Sequence, residues 1–204
     1  KDILPPVLIK EEPVSKTVNF EKDKITLYFN EYVKLNDPNQ EMIISPLINP
    51  MPKITSRKKT IEIKFENKLK ENTTYTIQFG KSIADITENN VLADYRYIFS
   101  TGHKLDSLEL KGKANEVLTN IAKENIKIML HQSKNDSCIY KGKPEYYTKT
   151  IKGGEYVFNN LHSNTYRIYA LDDENGNYVF DKGEKIAYIN NSICLNKNIK
   201  LTNR

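Results

Sequence analysis

The sequence contains 204 residues, which is enough for two domains of ordinary size that each bury a hydrophobic core. Its formal charge of +5 arises from 31 Lys and Arg and 26 Asp and Glu. These charges are scattered rather than clustered, which argues against a nucleic-acid-binding protein. No stretch approaches the roughly 20 apolar residues of a membrane span, so the sequence predicts no transmembrane helix.

The N-terminal half opens with a linker-like segment and continues with predicted strands. The segment "KDILPPVLIKEEP" (1–13) lacks the pattern of a signal peptide, so we expect that any export signal has already been removed. Apolar residues then alternate with polar ones in "KITLYFNEYV" (24–33), "TIEIKFEN" (60–67) and "TTYTIQFG" (73–80). Alternation of this kind buries one face of an antiparallel sheet. Asn, Asp, Gly and Pro separate these strands, which favours a β-sandwich.

A domain boundary is predicted near residues 103–106. One strand ends at Thr101, a short polar bridge follows, and a new alternating run begins at Leu108. Because no alternating run crosses the bridge, the two halves should not share strands. We therefore predict one domain from residues 1–104 and a second from residues 105–204.

The C-terminal half contains predicted strands of the same kind, at residues 125–132, 153–161, 165–173 and 184–189. The segment "ANEVLTNIAKEN" (114–125) permits either a helix or a loop, because the Asn residues near its ends favour turns. The sequence as a whole predicts an all-β fold of two tandem antiparallel β-sandwiches.

The stretch "DDENGNYVFDKGE" (172–184) is the strongest candidate for a metal site. Calcium takes about six to eight oxygen ligands, and a 12-residue calcium loop supplies them at positions 1, 3, 5, 7, 9 and 12. Those positions are occupied here by Asp173, Asn175, Asn177, the backbone carbonyl of Val179, Asp181 and Glu184. Three carboxylates in so short a loop would repel one another without a cation, which favours bound calcium.

Two features differ from a helix–loop–helix calcium site. Tyr178 stands where the sharp turn needs glycine, and the flanking segments are predicted strands. The order of Asp, Asn and Glu instead resembles the Asp/Asn-rich calcium loops in β-sandwich repeats of bacterial surface adhesins. The alternative is a polar turn, since Asp, Asn and Gly fill many long connections between strands.

The sequence predicts no catalytic constellation. His103, His131 and His162 have no second His or Cys at ligand spacing, and no nucleophile motif accompanies them. The only cysteines, Cys138 and Cys194, are compatible with a disulfide or with two free thiols. We therefore expect a protein that is not an enzyme.

Sequence motifs in both halves resemble those of known bacterial domains. The motifs "PPVL", "ITLYFNEYV", "ISP", "LKENTTYTIQFG", "IAD" and "YIFSTG" follow one another within residues 1–102. Together they resemble the bacterial Ig-like domain of surface-layer type found in many Bacteroidetes envelope proteins. Residues 107–204 contain "GKA" and "GEYVFNNLHSNTYRIYALDDENGN" and are similar to the carboxypeptidase-regulatory or collagen-adhesin B-type domain, a prealbumin-like sandwich.

The pair of domains in this order resembles Bacteroidetes outer-membrane lipoproteins. This resemblance implies an exported protein at the outer membrane or cell surface, held by a lipid anchor that lies outside this sequence. The tripeptide "DSL" (106–108) resembles the O-glycosylation signal of exported Bacteroidetes proteins, which implies Ser107 as the acceptor. A linker is exposed enough to carry a glycan, although Asp-Ser at a strand entrance is also ordinary turn chemistry.

The sequence leaves two functions of different class open. The first is a non-enzymatic, envelope-anchored interaction or scaffold module that contacts outer-membrane or cell-surface proteins and no nucleic acid. The second is a non-catalytic carbohydrate-binding or adhesive portion of a surface protein, which needs an exposed aromatic platform. Tyr146 with Tyr147, or Tyr95 with Tyr97, are the candidates for that platform, although tyrosines on one face of a strand are more often packed. We expect the first function.

Overall fold

The fold is built almost entirely from short strands, which confirms the predicted all-β class. The computed structural model describes residues 2–115, 122–132, 135 and 137–201. None of the helices in these residues is long and apolar enough to cross a membrane. The chain divides into two compact units, one made of Lys1–Ile44 and Ile48–Leu105 and the other of Ser45–Leu47 and Asp106–Arg204.

The first unit is a sandwich. Its described elements are β1 (Leu8–Glu12), β2 (Lys24–Phe29), β3 (Val33–Leu35), α1 (Pro38–Glu41), β4 (Ile43–Ser45), β5 (Lys53–Arg57), β6 (Thr60–Lys64), β7 (Thr74–Gln78), β8 (Ile83–Asp85) and β9 (Arg96–Ser100). One sheet has the strand order β1-β2-β6-β5, another has the order β4-β7-β9, and β3 pairs with β8. Apolar residues of both larger sheets form one core, so these sheets pack face to face.

The alternation of apolar residues decides which face of each strand enters this core. Ile25, Leu27 and Phe29 of β2 are at most 2% exposed. The residues between them, Thr26 and Tyr28, are only half-buried. The burial that the sequence pattern predicts for this strand is therefore confirmed.

An aromatic cluster fills the centre of the first core. The ring of Phe99 in β9 has its centroid 4.3 Å from that of Phe20, 5.3 Å from that of Tyr75, 5.7 Å from that of Phe65 and 6.0 Å from that of Tyr97. Aromatic pairs at such distances contribute about 0.5–1.5 kcal/mol beyond the burial of their surface. The cluster therefore packs β7 and β9 against Phe65, which directly follows β6 of the opposite sheet, and against Phe20, which precedes β2.

The second unit also contains two sheets over one core. Its described elements are β10 (Leu108–Lys113), β11 (Lys127–His131), α2 (Cys138–Lys141), β12 (Tyr146–Lys149), β13 (Glu155–Leu161), β14 (Asn164–Leu171), β15 (Ile186–Tyr188), β16 (Ile193–Leu195) and β17 (Ile199–Lys200). One sheet has the order β13-β10-β17, and the other has the order β12-β11-β14-β15, with β16 also paired to β14. Residues of both sheets form the core. The prealbumin-like character of this unit stays a prediction.

The predicted choice between helix and loop at residues 114–125 falls largely outside the described residues, since residues 116–121 are not among them. On either side of this stretch, Asn115 and Ala122 form an antiparallel bridge.

A tyrosine fixes one corner of each unit. The Tyr75 hydroxyl accepts a hydrogen bond of 3.0 Å from the backbone N–H of Lys70, and the Tyr166 hydroxyl donates one of 2.8 Å to the carbonyl of His162. Both bonds reach back a few residues along the chain, as in the tyrosine corner of Ig-like sandwiches. Burial raises the pKa of both tyrosines, so both hydroxyls remain protonated at neutral pH.

In each unit, a segment near the start of that unit runs parallel to the last described strand, which the sequence pattern did not predict. In the second unit, β10 pairs with β17, with Leu110 beside Ile199. In the first unit, the segment after β1 forms a parallel bridge between Thr17 and Phe99 of β9. Pairs inside the sheets, such as β2 with β6, are antiparallel as expected.

Candidate functional site

The polar stretch that we predicted to bind calcium forms a hairpin loop in the second unit. It joins β14 to β15, and these strands pair at its base through Leu171 and Ile186. The backbone N–H of Asp172 also donates to the carbonyl of Lys185 at 2.9 Å. The sheet therefore fixes both ends of the loop.

Asp173 lies at the centre of this loop, and its side chain has no solvent exposure. Its Oδ1 accepts a hydrogen bond of 2.9 Å from the N–H of Gly176, and its Oδ2 accepts one of 3.0 Å from the N–H of Tyr178. The same Oδ2 lies 2.6 Å from Nζ of Lys127, which stands on the neighbouring strand β11. A buried carboxylate needs compensation, and these three donors provide it.

The other predicted side-chain ligands form a second group of hydrogen bonds. Oδ2 of Asp181 accepts from the side-chain amides of Asn175 and Asn177, each at 2.7 Å. The two carboxylate oxygens of Glu184 accept from the backbone N–H groups of Asp181 at 2.9 Å and Glu174 at 3.1 Å. The structure thus brings the predicted residues into one loop, where they bind to each other and to its backbone.

The amide oxygens of the two asparagines hold the tip of the loop. Oδ1 of Asn175 accepts from the N–H of Asn177 at 2.9 Å, and Oδ1 of Asn177 accepts from the N–H of Val179 at 2.7 Å. Both are Asx turns, in which a side chain replaces a backbone acceptor. They occupy the oxygens that a calcium ion would require.

Tyr178 adopts the backbone conformation that glycine was expected to supply. Its φ is +65°, in the left-handed region that costs an ordinary residue about 1–2 kcal/mol. Its ring centroid lies 4.7 Å from that of Tyr147 and 4.8 Å from Nζ of Lys127. These contacts and the bond to Asp173 offset the cost, so the missing glycine does not prevent the sharp turn.

The chemistry of this donor set fits a hard cation, because it consists of carboxylate and amide oxygens. Within the residues that the structure describes, no group of three or more His, Cys, Asp or Glu side chains is arranged to hold a metal ion. Calcium would have to compete with Lys127 for Asp173, and both asparagine amides would have to turn their oxygens inward. As described, the loop is a polar turn closed by its own hydrogen bonds, and calcium binding stays a prediction.

The remaining predicted site residues lie apart from this loop. Ser107 is exposed immediately before β10. Cys138 and Cys194 are both free thiols, the first half-buried and the second exposed. Sγ of Cys138 lies 3.6 Å from the hydroxyl of Tyr169. Of the two alternatives that the sequence allowed, the structure therefore shows free cysteines.

The tyrosines considered for a carbohydrate platform are packed. Tyr97, Tyr146 and Tyr147 are at most 4% exposed, and Tyr95 is half-buried. The platform interpretation is therefore wrong at these positions. The reason is that Tyr97 belongs to the aromatic cluster around Phe99, while β12 is covered on both faces.

Sequence reasoning missed a different pair of tyrosines in the second unit. Tyr140 of α2 and Tyr188 of β15 are 58% and 65% exposed. They border a cavity of about 330 Å³ whose lining also includes Arg167 and Asn190. Both tyrosines lie in elements of only three or four residues, which are too short for a periodic pattern to separate an exposed ring from a packed one.

Residues 2–101 match the family model of the bacterial Ig-like domain. The first unit is therefore similar to a bacterial Ig-like domain, as its motifs implied. The match ends before β10, so it assigns no family to the second unit. No curated protein matches the chain.

Several solved structures show a weak likeness to the chain. A variant of BcpA, the major pilin subunit of Bacillus cereus, is 9% identical, with 88% of this chain and 62% of that chain covered and a TM-score of 0.30. The N-terminal part of the bacterial S-layer protein SbsC is 12% identical, with 92% and 45% covered and a TM-score of 0.32. An L,D-transpeptidase from Mycobacterium smegmatis is 9% identical, with 82% and 76% covered and a TM-score of 0.33. Likenesses of this size assign no function.

Proposed function

We propose that this protein is a non-enzymatic scaffold or interaction module of the bacterial cell surface. The observation that supports this most directly is the bacterial Ig-like domain of residues 2–101, followed in the same chain by a second β-rich unit with its own core. Units of this kind hold their strands rigidly and present loops and sheet edges for contact. The module docks or spaces other envelope proteins.

A finer proposal concerns its location. The protein is exported and held at the outer membrane or cell surface through a lipid anchor outside this sequence. The resemblance of its domain pair to outer-membrane lipoproteins supports this location, since a lipid anchor is what defines a lipoprotein. The test is fractionation of cells that express the full-length gene, with mass spectrometry of the N-terminal peptide. We expect a lipidated protein in the membrane fraction, and a protein confined to the cytosol would contradict both location and function.

Partner proteins are the second part of this test. Intact cells that express the tagged full-length protein are treated with a cross-linker that does not cross membranes, and the tagged protein is then isolated. Recovery of envelope proteins that an equally tagged, unrelated surface protein does not recover would support the scaffold role. Recovery of only those proteins that the control also recovers would count against it.

Ser107 is the proposed glycan acceptor of the exported protein. Its exposure just before β10 leaves room for a bulky modification. In protein isolated from its natural host, the proteolytic peptide that contains Ser107 should be heavier than its sequence mass, and Ser107→Ala should remove that excess. An unmodified mass for this peptide in the unsubstituted protein would make the "DSL" tripeptide an ordinary turn.

Carbohydrate binding is a second candidate, supported by Tyr140 and Tyr188. These exposed rings border one cavity with the cationic side chain of Arg167, a combination suited to an acidic sugar. A glycan array with the full chain tests it, with Tyr188→Ala and Tyr32→Ala as a matched pair, since Tyr32 is also exposed but belongs to the first unit. Binding that Tyr188→Ala alone abolishes would favour this function, and an array without signal would exclude it.

A further inference from the structure

The segment that follows β1 runs alongside β9, the last strand of the first unit. Backbone hydrogen bonds join the two, from Lys16 N–H to the carbonyl of Ile98 at 2.6 Å, from Ser100 N–H to Thr17 at 2.9 Å, from Phe20 N–H to Ser100 at 2.9 Å and from Asn19 N–H to Gly102 at 2.8 Å. The two segments run in the same direction, since the bridge between Thr17 and Phe99 is parallel. We call this line of bonds the first seam.

The second unit closes in the same way. Its first strand, β10, pairs in parallel with its last strand, β17. The N–H of Leu201 donates to the carbonyl of Lys111 at 2.7 Å, and the side-chain oxygen of Asn198 accepts from the N–H of Glu109 at 3.0 Å. Leu110, between these two bonds, is 1% exposed, so this second seam is anchored in the core.

Parallel terminal strands respond to tension differently from antiparallel ones. In a parallel pair, the chain enters at one end of the first strand and leaves at the opposite end of the last strand. A pull on the chain ends then slides one strand along the other, and the hydrogen bonds of the ladder are loaded together. In an antiparallel pair pulled from one shared end, the bonds break one after another. The parallel arrangement therefore raises the barrier to forced unfolding. This barrier determines how long the folded unit persists under tension.

We infer that both units are tension-bearing elements, in which the two seams keep the sandwiches folded when the chain is pulled from its ends. The same force passes through both units, because they are joined in series by one backbone. This inference deepens the proposed scaffold function, since a module attached at one end and docked at the other transmits pull between them. The inference depends only on the hydrogen bonds of the two seams.

The direction of pulling is the first test. The full chain is first stretched between its termini by single-molecule force spectroscopy. It is then stretched between two introduced cysteines, Ser107→Cys and His162→Cys. The native cysteines are removed from this second chain by Cys138→Ser and Cys194→Ser. The introduced cysteines flank the antiparallel pairing of Leu108 with Leu161, so this second pull opens β10 from β13 bond by bond. We expect the second unit to unfold at clearly higher force between the termini. Equal forces in the two directions would overturn the inference.

Removal of one seam bond is the second test. Leu201→Pro deletes the N–H that binds Lys111, a bond worth about 1 kcal/mol, so unfolding at constant force should become about fivefold faster. Asn198→Ala removes the acceptor of the other bond without changing the backbone and should act in the same direction. Both variants are measured as the full chain.

Tyr166→Phe is the matched control. It removes the corner hydrogen bond to His162, which lies outside the seam, and should lower the melting temperature without faster unfolding under load. If the seam variants unfold no faster than the unsubstituted protein, or no faster than Tyr166→Phe, the seam does not bear tension. Fractionation decides the surface location independently, so failure of this inference is distinct from failure of the proposed function.

Discussion

Nζ of Lys127 lies 2.6 Å from Oδ2 of Asp173, and the two side chains are 12% and 0% exposed. This ion pair ties β11 to the polar loop that follows β14. Because the carboxylate is fully enclosed, removal of its cation leaves a buried charge with only two N–H donors.

Lys127→Met should therefore destabilise the second unit by about 3 kcal/mol, the scale for loss of one partner in a buried pair. Denaturant unfolding of the full chain measures the loss. Lys68→Met is the matched control, since its pair with Glu71 is 84% and 76% exposed and is screened by solvent, so it contributes little to stability. A loss no larger than that of the control would show that the loop does not depend on the ion pair.

The two halves should fold independently. Each unit has a separate core, and we predict that residues 1–104 and 105–204 each give a cooperative melt when expressed alone. Calorimetry of the two fragments and of the full chain measures this. Failure of both fragments to fold would place the boundary elsewhere.

Calcium binding by the loop should be modest. Two ligands are neutral amides, and the ion must displace Lys127 from Asp173, so we expect a Kd in the range of about 10⁻⁴ to 10⁻³ M. Calorimetric titration of the full chain measures it. Asp173→Ala and Glu184→Ala should each abolish binding, whereas Asp172→Ala should not. No heat at millimolar calcium, with a melting temperature that chelator leaves unchanged, would establish the loop as a polar turn.

The second unit should lose stability in mild acid because of His131. This side chain is 3% exposed, and its ring lies edge-on to Tyr169 with centroids 5.6 Å apart. Among the described residues, its Nε2 has no hydrogen-bond partner. Burial lowers its pKa below the ordinary value of 6.5, an effect only partly opposed by the Glu145 carboxylate. The unfolded chain therefore binds more protons between the lowered pKa and 6.5, so stability falls as pH drops through that window.

Unfolding free energies at several pH values measure this effect. His131→Leu should make the free energy of unfolding less dependent on pH within this window. His103→Gln, a change at an exposed residue, should leave the pH dependence unchanged. An equal slope in the His131→Leu variant would assign the acid sensitivity to other groups.

The elements that the sequence predicted well are those with a clear local pattern. The buried residues of β2 and β6 alternate strictly, and the buried Tyr75 and Ile77 of β7 are also two residues apart, so the core faces of these strands could be assigned before the structure was known. Strands β3, β4 and β8 contain only three residues each, which is too few for a periodic signal. The parallel seams were missed because their partners lie at opposite ends of each unit, and no local pattern encodes such a pairing.

The polar loop was predictable in composition but not in charge balance. Its acidic and amide residues are contiguous, so they could be recognised together. Lys127 is distant in the sequence and reaches Asp173 only because β11 and β14 are neighbours in the sheet. No local sequence pattern reveals that Lys127 supplies a positive charge to the loop. Calcium was therefore expected to balance the three carboxylates.

The position of Lys127 also determines its chemical reactivity. Acylating reagents need open space around the amine, whereas Nζ of Lys127 lies between the Asp173 carboxylate and the ring of Tyr178. It should react much more slowly than the exposed Lys68, and labelling of Lys127 would mark the moment at which the loop opens. The lysine that holds the loop closed is therefore also a natural probe of its opening.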